Sequence, residues 1–166
     1  MKSPAFIFLI GLFVFKSDPA IGQLSSFGKI PTEDSVVTLL KTDKEDSNKV
    51  LHLVYLAKYL NNRNKDTSFQ LGSQALKLAE KLKWNLGIAY SHAALAWSYY
   101  VHGNYAKALE ENNITLKIGE KEHDQKTIGI AYSNIGQIHY SRGDLHKAIE
   151  YNTRALQIDS ALHDEW

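Results

Sequence analysis

From about residue 48 onward, apolar and polar positions recur with the period of a helix, and the whole pattern repeats every 40 residues. Ala75, Thr115 and Ala155 fall in one column, with Leu76, Leu116 and Leu156 beside them. Leu78, Ile118 and Ile158 share another; Phe69, Leu109 and Ile149 share an earlier one, preceded by Ser68, Ala108 and Ala148. Within a copy these positions are spaced i, i+1, i+7, i+8 and i+10, which is one face of a helix. Ahead of them stand Asn64, Asn104 and Asp144, short polar side chains that accept a hydrogen bond from a free backbone N–H at a helix start. Gly103 and Gly143 come one residue earlier, where a left-handed turn closes the preceding helix. The spacing predicts helix, tight turn, helix. No alternating strand pattern competes, so the fold class is all-α: an α-solenoid of antiparallel helix pairs.

Three copies follow, at residues 48–84, 85–124 and 125–161, with the start of a fourth at 162–166. The first pairs Asn48–Leu60 with Asp66–Lys81, the second Asn85–Val101 with Asn104–Glu122, and the third Thr127–Ser141 with Asp144–Ala161. Residues 23–47 read as a linker with a short helix, "EDSVVTLLK", capped by Thr32, that covers the first pair. All three prolines (Pro4, Pro19, Pro31) precede this helix, so nothing downstream forces a break. At the other end Ile149, Leu156 and Ile158 have no following helix to cover them. A solenoid ordinarily closes with a polar-faced cap, so the chain is expected to be the N-terminal part of a longer protein.

One word departs from the period. "GIAYS" occurs at Gly87–Ser91 and at Gly129–Ser133, 42 residues apart. The offset predicts a loop two residues longer before the third copy. It also puts Tyr90 and Tyr132 on different columns of the helix, Tyr132 on the packing column of His52 and His92.

The first 22 residues are a different object. Lys2, an apolar run from Ala5 to Phe15, and Ala20-Ile21-Gly22 form the pattern of an export signal cleaved after Gly22. Eleven residues of helix reach about 16 Å, too short to span a bilayer. Its removal takes away Lys2, Lys16 and Asp18 and leaves 17 basic and 17 acidic residues. A neutral chain generates no field to gather nucleic acid or anionic lipid. Cysteine is absent, which excludes disulfides, thiolate catalysis and cysteine-bound metal. The seven histidines form neither an HExxH motif nor a metal-ligating pair on one helix, and no glycine-rich phosphate loop occurs. The sequence points to no catalytic residues, no metal and no cofactor.

The residues that define the repeat resemble the tetratricopeptide repeat family. "NIGQIHYSRGDLHKAIEYNTRALQID" (Asn134–Asp159) is similar to the family pattern, with Gly136 as the small position of the first helix, Gly143 at the turn, and Ala148 and Ala155 in the second helix. In the second copy Ala96, Gly103 and Ala108 fit and Thr115 replaces the last alanine; in the first, Leu56 and Arg63 stand where a small residue and glycine belong. The resemblance implies that the first helix of each pair lines a concave groove. Its positions are then Val50, Leu53, Ala57, Leu60 and Asn61 in copy one, and Tyr90, Ala93, Trp97, Tyr100 and Val101 in copy two. Copy three contributes Ile130, Ser133, Gln137, Tyr140 and Ser141. The binding candidates are Tyr90, Trp97, Tyr100, Val101, Ser133, Gln137 and Tyr140, for a protein or peptide ligand. A leader followed by 40-residue repeats also resembles the exported N-terminal sensor region of tetratricopeptide-containing bacterial histidine kinases. That implies a periplasmic or membrane-anchored module, touching the membrane only through the leader or a downstream segment. The alternative is a stand-alone secreted or periplasmic scaffold.

Overall fold

The computed structural model describes residues 33–61 and 63–164; the expected leader at residues 1–22 and the expected cap Thr32 lie outside the described residues. Seven helices follow one another: α1 (Glu33–Thr42), α2 (Ser47–Leu60), α3 (Lys65–Lys81), α4 (Asn85–Val101), α5 (Tyr105–Lys121), α6 (Gln125–Ser141) and α7 (Leu145–Asp164). Among the described residues there are no strands. Helices α2–α3, α4–α5 and α6–α7 form the three pairs, each stacked on the next, with α1 against α2. The first helices of successive pairs also touch, α2 with α4 and α4 with α6. The result is an all-α solenoid.

The caps set the helix starts. Asn64 accepts from the Thr67 N–H, Asn104 from Lys107 and Asp144 from Lys147, at 3.1, 3.2 and 3.3 Å. Asp46 and Asp124 do the same for α2 and α6. The ends of α3 to α6 share one device, a left-handed residue followed by an N–H that reaches back five carbonyls. Asn104 N–H bonds Tyr99 O and Asp144 N–H bonds His139 O, with Gly103 and Gly143 at φ +76° and +81°. Trp84 N–H bonds Ala79 O and Asp124 N–H bonds Gly119 O in the same way. There the left-handed residues are Lys83 and His123, at φ 54° and 55°.

A side chain in that conformation is strained by about 1 kcal/mol or more, and His123 is exposed. His123→Gly is therefore expected to raise stability by about 0.5–1 kcal/mol, net of the entropy glycine adds to the unfolded chain. Urea unfolding measures it, and a less stable variant would refute the strain.

The turns overturn one expectation. Helices α4 and α6 start 40 residues apart and end 40 residues apart, and the linkers before them are 82–84 and 122–124. The loop before the third copy is not longer. "GIAYS" has slipped within a constant frame, so that Gly87 shares its column with Thr127, and Gly129 shares its column with Ala89. Gly87 answers a local need: a Cβ there would lie 2.2 Å from the ring of Trp84, which caps α4 without a side-chain hydrogen bond.

Small residues sit where helices cross. Ala75, Ala96 and Ala108 are fully buried, as is Thr115, whose hydroxyl donates to the Glu111 and Ala89 carbonyls at 3.1 and 3.3 Å. Ala148 and Ala155 are buried, and Asn152 packs so closely on Gly136 that a Cβ would lie 2.4 Å from its Oδ1. In copy one the crossing is polar. Ser68 Oγ stands 2.8–2.9 Å from Ala57 O, Asn61 Oδ1 and Ser98 Oγ, all of it buried. Leu56, in place of a small residue, is buried. Helix α7 differs from its counterparts in running three residues further than α5 does and in carrying its apolar face in the open.

Candidate binding groove

The inner columns divide by depth. Val50, Leu53, Ala57, Tyr90, Ala93 and Ile130 belong to one buried cluster, because adjacent first helices pack directly on one another along this edge. Leu60 and Asn61 are buried as well. Copy one therefore offers no inner surface. Tyr90, expected in the groove, is instead a core residue, held edge-on against Trp84 at 6.1 Å and 80°. Tyr132 does face the packing side, between Tyr151 at 5.9 Å and the Arg154 guanidinium at 5.6 Å. The Tyr132 hydroxyl and Glu150 raise the Arg154 pKa further above its ordinary value.

What remains accessible lies toward the C-terminal ends of α4 and α6. Trp97 and Tyr100 are one helical turn apart and half-buried, their rings 5.1 Å apart and tilted by 34°. Tyr100 is held from the next repeat: Gln137 Nε2 donates to its hydroxyl at 3.1 Å, and Ser141 Oγ lies 2.9 Å away. Val101, Ser133 and Gln137 are half-buried and Tyr140 is 38% exposed. Tyr105 joins the group, its ring 5.9 Å from Tyr100. It is the first residue of α5, delivered there by the Gly103 turn, and reading only the first helices missed it.

Chemically this is an uncharged shelf of rigid aromatic faces with hydroxyl and amide groups along one side. Such side chains bury much area while losing little conformational freedom, which suits a peptide or helix surface. Three of the histidines, His52, His92 and His139, serve packing. His52 Nδ1 lies 2.6 Å from Asp43 and His92 Nδ1 2.6 Å from Glu111, joining neighbouring segments, and His139 stacks on Tyr151 at 5.6 Å. Among the described residues no three metal-ligating side chains gather, and no helix is long and apolar enough to cross a membrane.

The family model of the tetratricopeptide repeat matches residues 129–161, which run from the first turns of α6 through most of α7. The third pair is thus similar to a tetratricopeptide repeat, and the described chain is an all-α solenoid of helix pairs. Repeats of this kind typically bind protein partners and are generally non-catalytic. No curated protein matches the chain.

Proposed function

We propose that this chain is a protein-interaction module whose partner lies across the shelf of Trp97, Tyr100, Tyr105, Gln137 and Tyr140. The observation that carries the reading is the fixing of Tyr100 by Gln137 and Ser141 beside an accessible indole. A surface tied down before binding loses little entropy when a ligand arrives. With no charged side chain among these residues, the fitting partner is an apolar or aromatic peptide segment, not one held by its carboxylate. The leader-like first 22 residues support export, and with it a sensor or scaffold role outside the cytoplasm. We assign it to the extracytoplasmic part of a longer two-component signalling protein. A reading frame continuing past Trp166 into a membrane helix and a kinase region is the expected result; a stop codon there leaves the stand-alone scaffold.

The groove itself is tested with peptides selected from a random display library on the full chain. Their affinity, measured by calorimetry, is expected to fall at least about tenfold in Trp97→Ala, a loss of about 1.4 kcal/mol. It should be unchanged in Ile149→Glu, on the far helix. Peptides that bind Trp97→Ala as well as the parent would place the binding surface elsewhere.

A further inference from the structure

The middle of the shelf is built where the second and third pairs meet, and both pairs shape it. Trp97, Tyr100 and Tyr105 stand in series, ring to ring at 5.1 and 5.9 Å and tilted by 34° and 41°. From α6, Gln137 Nε2 and Ser141 Oγ flank the central ring, 3.1 and 2.9 Å from its hydroxyl. The row is thus aromatic along its length and hydrogen-bonding along one edge.

The recurring ways of holding a peptide can be set against these residues. Strand addition needs the edge of a sheet, and among the described residues there is no strand. An acidic or phosphorylated segment needs arginine or lysine, and none of the five residues is charged. A helix needs a trough for a cylinder about 10 Å wide. Here the inner columns of Ala93 and Ile130 are buried by the direct packing of α4 on α6, which leaves the shelf shallow. A helix also bonds its own carbonyls, so the Gln137 amide and the Ser141 hydroxyl would be covered with no acceptor to meet them.

A polyproline II segment meets each of these conditions. It is slender, it has no internal hydrogen bonds, and its carbonyls are open to donors at its side. Its proline rings pack on aromatic faces. Gln137 uses one of its two amide N–H donors on the Tyr100 hydroxyl, and the other is a donor for a ligand carbonyl. Three rings in series give a platform for a segment whose turn is about 9 Å long. Both surfaces are ordered before they meet, so little entropy is lost on either side. We propose that the occupant of the shelf is an uncharged, proline-rich segment of another protein, bound in the polyproline II conformation. The inference rests on the reading of the shelf as the binding surface. The chain's own prolines, Pro4, Pro19 and Pro31, stand singly and make no such segment.

The full chain is titrated by calorimetry with two blocked, uncharged peptides of equal length. One is made of prolines interrupted by leucine; the other, of alanine and leucine, forms a helix. The proline-rich peptide is expected to bind at least about tenfold more tightly than the helical one. Gln137→Ala, with helical circular dichroism matching the parent, should weaken it about fivefold, the worth of one hydrogen bond, and leave the helical peptide unaffected. Tyr105→Ala, at the edge of the platform, should weaken it about tenfold. A helical peptide that binds equally or more tightly, and is weakened by Trp97→Ala, keeps the shelf and overturns the proline-rich occupant. Proline-rich binding that Trp97→Ala, Tyr105→Ala and Gln137→Ala all leave unchanged removes the shelf itself as the site. No binding of the proline-rich peptide overturns the proposal, whatever peptides the display library yields.

Discussion

Ile138→Ala is expected to lower the unfolding free energy by about 3 kcal/mol, within the 2–5 kcal/mol that core isoleucines lose on truncation. Ile138 has no solvent exposure, and its helix α6 contacts α4, α5 and α7. A helix held on three sides cannot collapse into the space that three missing carbons leave. The cavity therefore persists, and its cost adds to the lost transfer energy. Ile149→Ala, chemically the same change on an isoleucine 68% exposed, should stay within about 0.5 kcal/mol. Urea denaturation of both variants measures the difference. Equal losses would mean that α6 is not packed as described.

The helix pairs were legible because burial along a helix leaves a period, and the cap residues Asn64, Asn104 and Asp144 announce where helices begin. The turns at Lys83 and His123 were not legible. Both hold side chains in a conformation that glycine marks elsewhere, and neither residue type signals it. Without that anchor, the repeated word "GIAYS" implied a longer loop, although helix ends are set by caps and turns and not by letters inside the helix. The candidate groove was half legible. Column arithmetic separated Tyr90 from Tyr132, but it put Tyr90 in the groove, and Tyr90 is a core residue. It did not show how closely α2, α4 and α6 approach one another. That distance buries the columns of Val50 and Leu53 and leaves Trp97, Tyr100 and Tyr140 accessible. Exposure on a solenoid's inner side depends on the neighbouring repeat, which no pattern within one repeat records. The ties from Gln137 and Ser141 to Tyr100 cross that same boundary and were missed for the same reason.

The boundary between repeats also carries the second large effect. Gly119→Val is expected to cost about 3 kcal/mol, at the upper end of ordinary overpacking. Gly119→Ala should come out near balance. An alanine there gains about 1 kcal/mol of helix propensity, and its single Cβ meets neighbours at 3.0–3.1 Å that need yield only slightly. Valine adds two methyl groups where one neighbour is the backbone nitrogen of Ile128, at the start of α6. Backbone cannot rotate aside as the Asn152 amide beside Gly136 can, so α5 and α6 must move apart. In a solenoid each repeat is held chiefly by its neighbours, so the loss falls on the contact between the second and third pairs. Native-state hydrogen exchange should show α6 and α7 opening more readily in Gly119→Val, with α2 to α4 little changed. Protection lost uniformly along the chain would mean that the pairs unfold as one unit, and that Gly119 is not the point at which they are joined.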